Sequence, residues 1–319
     1  MVDVLRKTGA AARLATILAG IVSFGSRRAR LSAARPAPSA VRRISAAPLA
    51  ATELVDHLAE RRVDAALAAG PLPIALQPIV DLGSGRMVGV EALARFTDGR
   101  APEAWFIDAR TTRRGLELER LAFDSAVRLL PDVSDDCYLS INATPRLLTE
   151  GELLDELAGR LLPYQRIVIE ITEHARVCDY ATLRASLSEL RGRGVRIAVD
   201  DTGAGFASFS HVLELRPDII KIDRSLVTTL TADPARRALI TALVLLALEI
   251  GASVTAEGVE SPQELETLAA LGVDAAQGYL IAKPTTDNSH WFSWPERNWL
   301  YPEQSVNQGA PKATLLTLP

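Results

Sequence analysis

The chain has 319 residues, 48% of them hydrophobic and 23% charged, the composition of a folded core large enough for one barrel-sized domain or two ordinary ones. That balance excludes a disordered chain or a collagen. With only two cysteines, Cys137 and Cys178, it also excludes a disulfide-dense scaffold and a cysteine-ligated metal cluster, and it fits a reducing compartment. The net charge of −4 divides unevenly: residues 1–50 carry nine basic side chains and one acid, a net +8 that leaves −12 for the rest. An acidic body argues against broad nucleic-acid binding through phosphates and suits clustered carboxylates that take metal ions.

Residues 1–50 form a basic arm rich in Ala, Arg and Ser. Its one apolar run, Leu14 to Phe24, is flanked by Arg6, Lys7 and Arg13 and by Arg27, Arg28 and Arg30. The run is about half the ~20 residues that span a membrane, and arginines directly after it do not suit a signal-peptide cleavage site. Leu14, Ile17, Leu18 and Ile21 share one helical face. Two readings stay open: a basic amphipathic helix on an anionic membrane, or a poorly ordered leader. Residues 35–50 read as a linker.

From Ala51 onward, short apolar and β-branched runs predict strands at Ile74–Val80, Met87–Leu93, Tyr138–Asn142, Ile167–Ile171, Arg196–Asp200, Ile219–Ile222 and Ser253–Glu257, with a weak one near Ala275–Leu280. Amphipathic stretches between them predict helices at Leu116–Leu130, Leu147–Leu161, Ala181–Arg193, Ala235–Ile250 and Pro262–Leu271. Only Asp81–Arg86 separates the first two runs, which reads as a hairpin. Eight strands with helices between nearly all of them predict an α/β fold, a closed (β/α)8 TIM-like barrel with an irregular opening pair; an open doubly wound sheet is the alternative.

Polar residues fall toward the strand ends: Glu91, Asn142, Glu170, Asp200-Asp201, Lys221, Glu257 and Gln277 in turn. Strand C-termini converge on one face of such a barrel, where active sites are built. Glu91, Asn142, Glu170, Asp200, Asp201 and Glu257 make an oxygen-only ligand set suited to Mg2+ or Mn2+. Five facing carboxylates repel one another without cations among them. Two ions ~3.5–4 Å apart are the standard clamp for phosphodiester hydrolysis, and Lys221 is placed to orient water or neutralise transition-state charge. His57, His174, His211 and His290 show no paired metal spacing and read as surface or supporting residues. The Gly-x-Gly at Gly203–Gly205 lacks the third glycine of a nucleotide fingerprint and fits a mobile loop better.

These residues carry a family resemblance. Glu91-Ala92-Leu93, within Val90-Glu91-Ala92-Leu93-Ala94-Arg95-Phe96, resembles the signature that names the EAL domain. Gln77-Pro78-Ile79-Val80, Leu139-Ser140-Ile141-Asn142, Glu170-Ile171-Thr172-Glu173, Asp200-Asp201, Lys221-Ile222-Asp223, Ala256-Glu257-Gly258-Val259-Glu260 and Gln277-Gly278-Tyr279-Leu280 resemble its other motifs, in order, over roughly residues 60–285. Thr202 stands where many members have an aromatic residue, and no Gly-Gly-Asp-Glu-Phe cyclase motif occurs.

The resemblance implies a barrel whose first strand is antiparallel and a phosphodiesterase that linearises cyclic di-GMP to pGpG with two divalent cations, Mg2+ or Mn2+. Glu91, Asn142 and Glu170 are implied to hold one ion, Asp200 to bridge, and Asp201 and Glu257 to hold the other. Lys221, with Glu257, activates water; Gln77, Leu93, Arg95 and Gln277 contact substrate; Glu173 and Glu260 anchor the loop after Asp201. A catalytically silent cyclic di-GMP receptor is the alternative. The expected layout is an arm at 1–50, the barrel at 51–302 and a loosely ordered tail at 303–319, with Trp291, Trp294 and Trp299 sealing the barrel. A homodimer and a cytoplasmic location complete the expectations, with contact between the arm and the inner membrane one of the arm's two open readings.

Overall fold

The fold comes from a computed structural model that describes residues 47–150, 157, 162–172, 177, 179–202, 207–291 and 293–294. The arm before Ala47, Glu173, His174, Cys178, residues 203–206, Trp299 and the tail lie outside the described residues.

Eight strands close a barrel in chain order: β1 (Ile74–Asp81), β2 (Met87–Ala94), β3 (Tyr138–Asn142), β4 (Ile167–Thr172), β5 (Arg196–Thr202), β6 (Ile219–Ile222), β7 (Ser253–Ala256) and β8 (Ala275–Ala276). Strands β2 to β8 run parallel, and β1 lies antiparallel to both β2 and β8. The reversal is local chemistry. The Asp81 carboxylate accepts from the Ser84 amide at 2.7 Å and the Ser84 hydroxyl at 2.6 Å, and Gly85 takes φ +70°. An Asx turn with glycine in the left-handed region folds β1 straight back into β2. The expected antiparallel opening is therefore present.

Around the barrel run α1 (Ala47–Ala69), α2 (Pro102–Thr111), α3 (Gly115–Val127), α4 (Pro145–Glu150), α5 (Tyr180–Gly192), α6 (Ala207–Leu215), α7 (Arg224–Val227), α8 (Pro234–Ile250), α9 (Pro262–Ala270) and α10 (Asn288–Trp291). Their ends follow sequence signals. Asp179 caps α5, Asp233 caps α8 ahead of Pro234, and Ser261 with Glu264 makes a capping box on α9, each cap being worth about 1 kcal/mol. Gly251 ends α8 at φ +76°. The first helix starts inside the stretch read as linker, and Arg62 joins it to Asp108 of α2 at 2.6 Å.

Strand alternation sorts the side chains into two compartments. Leu139, Ile141, Ile167, Ile169, Ile197, Val199, Ile220 and Ile222 point outward and are buried with Leu118, Phe123, Leu187 and Leu243 of the helices; each such side chain contributes roughly 1.5–3 kcal/mol. Inside, Ile79, Tyr138, Val168, Ala198, Ile219 and Ala275 form a separate apolar floor. Gly89 makes room for that floor: a Cβ there would lie 2.5 Å from the Tyr138 ring. Beyond β8 the chain returns to β1, where Leu76 and Thr285 exchange backbone hydrogen bonds. Trp291 and Trp294 are buried in the core shared by the helices and the outer strand faces, and the Trp291 indole donates to Thr285 O at 3.0 Å.

Candidate metal-dependent active site

The floor fixes the layer above it. Two residues beyond each floor residue, on the same inward face, come Ser140 after Tyr138, Glu170 after Val168, Asp200 after Ala198, Lys221 after Ile219 and Gln277 after Ala275. Glu91 follows Gly89 in the same way. Because β1 is antiparallel, its contribution is Gln77, two residues before Ile79. These positions lie within strands as much as at their ends: β2 continues three residues past Glu91, to Ala94.

Asp201 joins this layer through a backbone irregularity. Between Val199 and Thr202, β5 takes one step more than β6 takes between Ile220 and Ile222. Asp201 sits there at φ +56°, in the left-handed region, and its amide donates to Asp200 Oδ1 at 2.9 Å. In a regular strand consecutive residues face opposite ways. The bulge lets both acids turn the same way, and oxygens of Asp200, Asp201 and Glu257 lie within 4.8 Å of one another.

Lys221 stands at the centre, 1% exposed. Its Nζ lies 2.5 Å from Glu257 Oε1, 2.8 Å from Glu170 Oε2, 3.5 Å from Asp200 Oδ1 and 3.6 Å from Glu91 Oε2. None of these contacts has directed hydrogen-bond geometry; the ammonium serves four carboxylates as a shared charge. Burial pushes the Glu170 carboxyl up to about 8, with Glu91 and Asp200 adding to the rise and Lys221 opposing it. Burial likewise raises Asp200 and Glu257. Burial alone lowers the Lys221 pKa, yet Asp200, Glu170, Glu257 and Glu91 together hold it well above the ordinary lysine value. One ammonium among four acids, with Asp201 beside them, leaves more carboxyl oxygens than it can serve. That donor set fits hard divalent cations.

The flanking amides are organised around Glu91. Asn142 Nδ2 donates to Glu91 Oε1 at 3.1 Å, and Gln277 Nε2 donates to Glu91 Oε2 at 2.7 Å and to Gln77 Oε1 at 2.9 Å. Gln77 Nε2 in turn donates to Ala282 O at 2.9 Å. The buried Gln277 Oε1 has no hydrogen-bond partner among the described residues. Leu93 and Arg95 lie beside Asn142 along a cavity of about 370 Å3, and the Arg95 guanidinium donates to Ala94 O at 2.9 Å.

Three positions depart from the sequence expectation or add to it. Ser140, to which the motifs gave no role, donates to Glu170 Oε1 at 2.5 Å; its signal was its parity with Tyr138 and Asn142. Glu260 pairs with Arg224 at 2.7 Å, and the loop it is expected to anchor lies outside the described residues, as does Glu173. His211, read as a surface or supporting residue, is buried, with Nδ1 3.1 Å from the Tyr180 hydroxyl across α5 and α6. His57 and His290 are exposed and pair loosely with Glu60 and Asp287.

A closed barrel with an antiparallel first strand and a buried acidic cluster on its inner face defines a class of α/β barrel with an oxygen-donor site. The family model for the EAL domain matches residues 60–284, and the chain belongs to that family. It is 32% identical over 219 residues to the cyclic di-GMP phosphodiesterase RocR of Pseudomonas aeruginosa, a match covering 65% of this chain and 56% of RocR. It is 29% identical over 232 residues to the blue light- and temperature-regulated antirepressor BluF of Escherichia coli, covering 70% of this chain and 57% of BluF. Among solved structures, the manganese and cyclic di-GMP complex of Klebsiella pneumoniae BlrP1 superposes with a TM-score of 0.61 at 30% identity, covering 67% of this chain and 56% of that one. The chain thus spans little more than half the length of these relatives. Among the described residues no helix is long and apolar enough to cross a membrane.

Proposed function

We propose that the chain hydrolyses cyclic di-GMP to linear pGpG, using two divalent cations, Mg2+ or Mn2+. The observation that carries this reading is the buried Lys221 ringed by Glu91, Glu170, Asp200 and Glu257, with an Asp201 oxygen within 4.8 Å of those of Asp200 and Glu257. Glu91, Asn142 and Glu170 would hold one ion, Asp201 and Glu257 the other, and Asp200 both. Bound there, the ions lower the pKa of an attacking water and neutralise charge on the phosphodiester.

The chain's own residues do the rest. Lys221 Nζ, kept protonated by its four neighbours, donates to the water and to developing negative charge on the phosphoryl oxygens. Glu257, in its carboxylate form, takes the proton that the water gives up. Water adds across one P–O3′ bond, leaving a 3′-hydroxyl and a 5′-phosphate. Gln77, Gln277, Arg95 and Leu93 hold the substrate, with Gln277 Oε1 accepting from it. The reading places the reaction in the cytoplasm, with residues 1–50 against the inner membrane, and includes a homodimer.

Thr202 and the resemblance to BluF, a relative named for antirepression rather than hydrolysis, favour a second reading, a silent cyclic di-GMP receptor. Calorimetry and turnover on one sample separate the two. Binding with turnover under saturating Mn2+ supports the enzyme; tight binding with none supports the receptor.

A further inference from the structure

The barrel has a second mouth, on the face opposite the acidic layer. Along β5, Asp200 stands two residues beyond the floor residue Ala198, and Arg196 stands two residues before it, in register with the inward-facing Val168. At ~3.3 Å per residue, Arg196 lies roughly 13 Å along the strand from Asp200. Its guanidinium covers the Tyr138 ring, 4.6 Å from the centroid, so the aromatic takes the flat face of the cation. These two side chains, with Val88, Asp136, Cys137 and Gln165, line a cavity of about 370 Å3.

Two arginines border this cavity, and their donors are engaged differently. Arg166 is held by the protein: Nε donates to Cys137 O at 3.0 Å, Nη2 to Val133 O at 2.6 Å and Ser134 O at 2.7 Å, and Nη1 to Asp135 Oδ1 at 2.9 Å. The half-buried Arg196 side chain makes no hydrogen bond or ion pair among the described residues. With its face on Tyr138, the edge of its guanidinium keeps its N–H donors for whatever enters the cavity. The cavity holds no nucleophile, because burial pushes the Cys137 thiol up to about 11 and keeps it protonated.

We propose that this cavity binds a small oxyanion, a carboxylate or a phosphate, on the edge of the Arg196 guanidinium. The planar fork of an arginine matches two oxygens of one such group, and the stacked ring fixes the fork in place before the ligand arrives. The Gln165 amide, also on the cavity wall, offers a further donor. A divalent cation fits less well, since Asp135 is already paired with Arg166 and Arg196 repels a cation. The exposed Asp136 carboxylate stands against the anion and keeps its affinity modest, so binding depends on Arg196. The site lies across the floor from the acidic layer, and the proposal rests on none of the hydrolytic chemistry.

The test is a titration of the full chain in chelator with sodium phosphate, and separately with sodium acetate, at ionic strength held constant with sodium chloride. Backbone amide NMR shifts report where the anion sits, with Glu257 across the floor as the reference. The expected result is a saturable shift of the Cys137, Tyr138 and Arg196 amides. A response to phosphate alone identifies a phosphate ligand, to acetate alone a carboxylate, and to both an oxyanion of either kind. Arg196→Gln should weaken binding at least about tenfold, the loss of charge-assisted hydrogen bonds. Asp136→Asn should tighten it about twofold or more by removing a like charge. No saturable shift at these amides with either anion overturns the proposal, as does binding that survives Arg196→Gln or that Asp136→Asn does not tighten. If Arg196→Gln fails to fold, Asp136→Asn, at an exposed position, decides alone.

Discussion

Lys221 Nζ and Glu257 Oε1 lie 2.5 Å apart, and that pair is one edge of a cluster in which a single buried ammonium faces four acids. Removing the ammonium leaves buried carboxylates uncompensated, an effect typically worth about 3–5 kcal/mol. Lys221→Met should therefore abolish turnover and lower the melting temperature of the metal-free protein clearly, more at pH 8 than at pH 5. Added Mn2+ should restore much of the lost stability without restoring turnover. Thermal unfolding with chelator and with Mn2+ measures this; an unchanged metal-free melting temperature would contradict it.

The raised carboxyl pKa values set a pH dependence. Glu170 titrates near 8 in the folded chain against about 4.5 in an unfolded one, and Asp200 and Glu257 are raised as well. Between those limits the folded state binds more protons, so its stability is fully present below about pH 4.5 and is lost as pH rises toward 8. Lys221 acts only at higher pH, where its own raised value comes into range. In chelator, the free energy of unfolding from urea titrations should fall from pH 5 to pH 8. With saturating Mg2+ or Mn2+ the fall should flatten, because cations take the place of protons. A rise over this window in chelator would show that these acids are ionised in the metal-free fold.

Ser140 acts through Glu170. Ser140→Ala removes the 2.5 Å hydrogen bond to Oε1 and leaves the carboxylate free to turn. Loss of such a supporting contact typically costs ten- to a hundredfold in metal affinity or activity. The Mn2+ concentration for half-maximal turnover should rise by about that factor, with partial recovery at high Mn2+ and in Ser140→Thr. A fall in turnover with an unshifted Mn2+ dependence would assign Ser140 a role other than holding Glu170.

The arm is expected to be dispensable for turnover. Residues 1–50 carry +8 against −12 for the remainder, and the site residues all lie beyond Ile74. A basic segment gains about 1 kcal/mol per Lys or Arg near an anionic surface. Full-length chain should sediment with anionic liposomes, and a chain starting near Ala51 should not, at equal turnover. A folded but inactive shortened chain would contradict the placement of the site wholly within the barrel.

Much of the barrel is legible in the sequence because its strands are short, β-branched and regularly spaced. The limits of β3 and β6 agree residue for residue with the apolar runs Tyr138–Asn142 and Ile219–Ile222. The eighth strand shrinks to Ala275–Ala276, since alanine gives little strand signal. The first helix, rich in alanine, has no clear apolar period, and α2 buries only Trp105 and Ala109, so neither is among the predicted helices. The acidic positions stand out as polar residues in apolar runs. Their shared layer shows only when each is counted two residues from a floor residue, and Gln77 fits only if β1 is reversed. The turn of Asp201 toward Asp200 depends on φ +56° at a bulge, which residue types alone do not encode. The Tyr180–His211 contact depends on how α5 and α6 meet, beyond the reach of either segment's pattern.

The central claim is tested most directly by incubating the purified full chain with cyclic di-GMP and Mn2+ and separating the products by chromatography. The account predicts linear pGpG, produced in proportion to protein, absent when metal is chelated, and absent in Glu91→Ala, which loses a charged ligand. Cyclic di-GMP that remains intact with saturating Mn2+ at every protein concentration would contradict it.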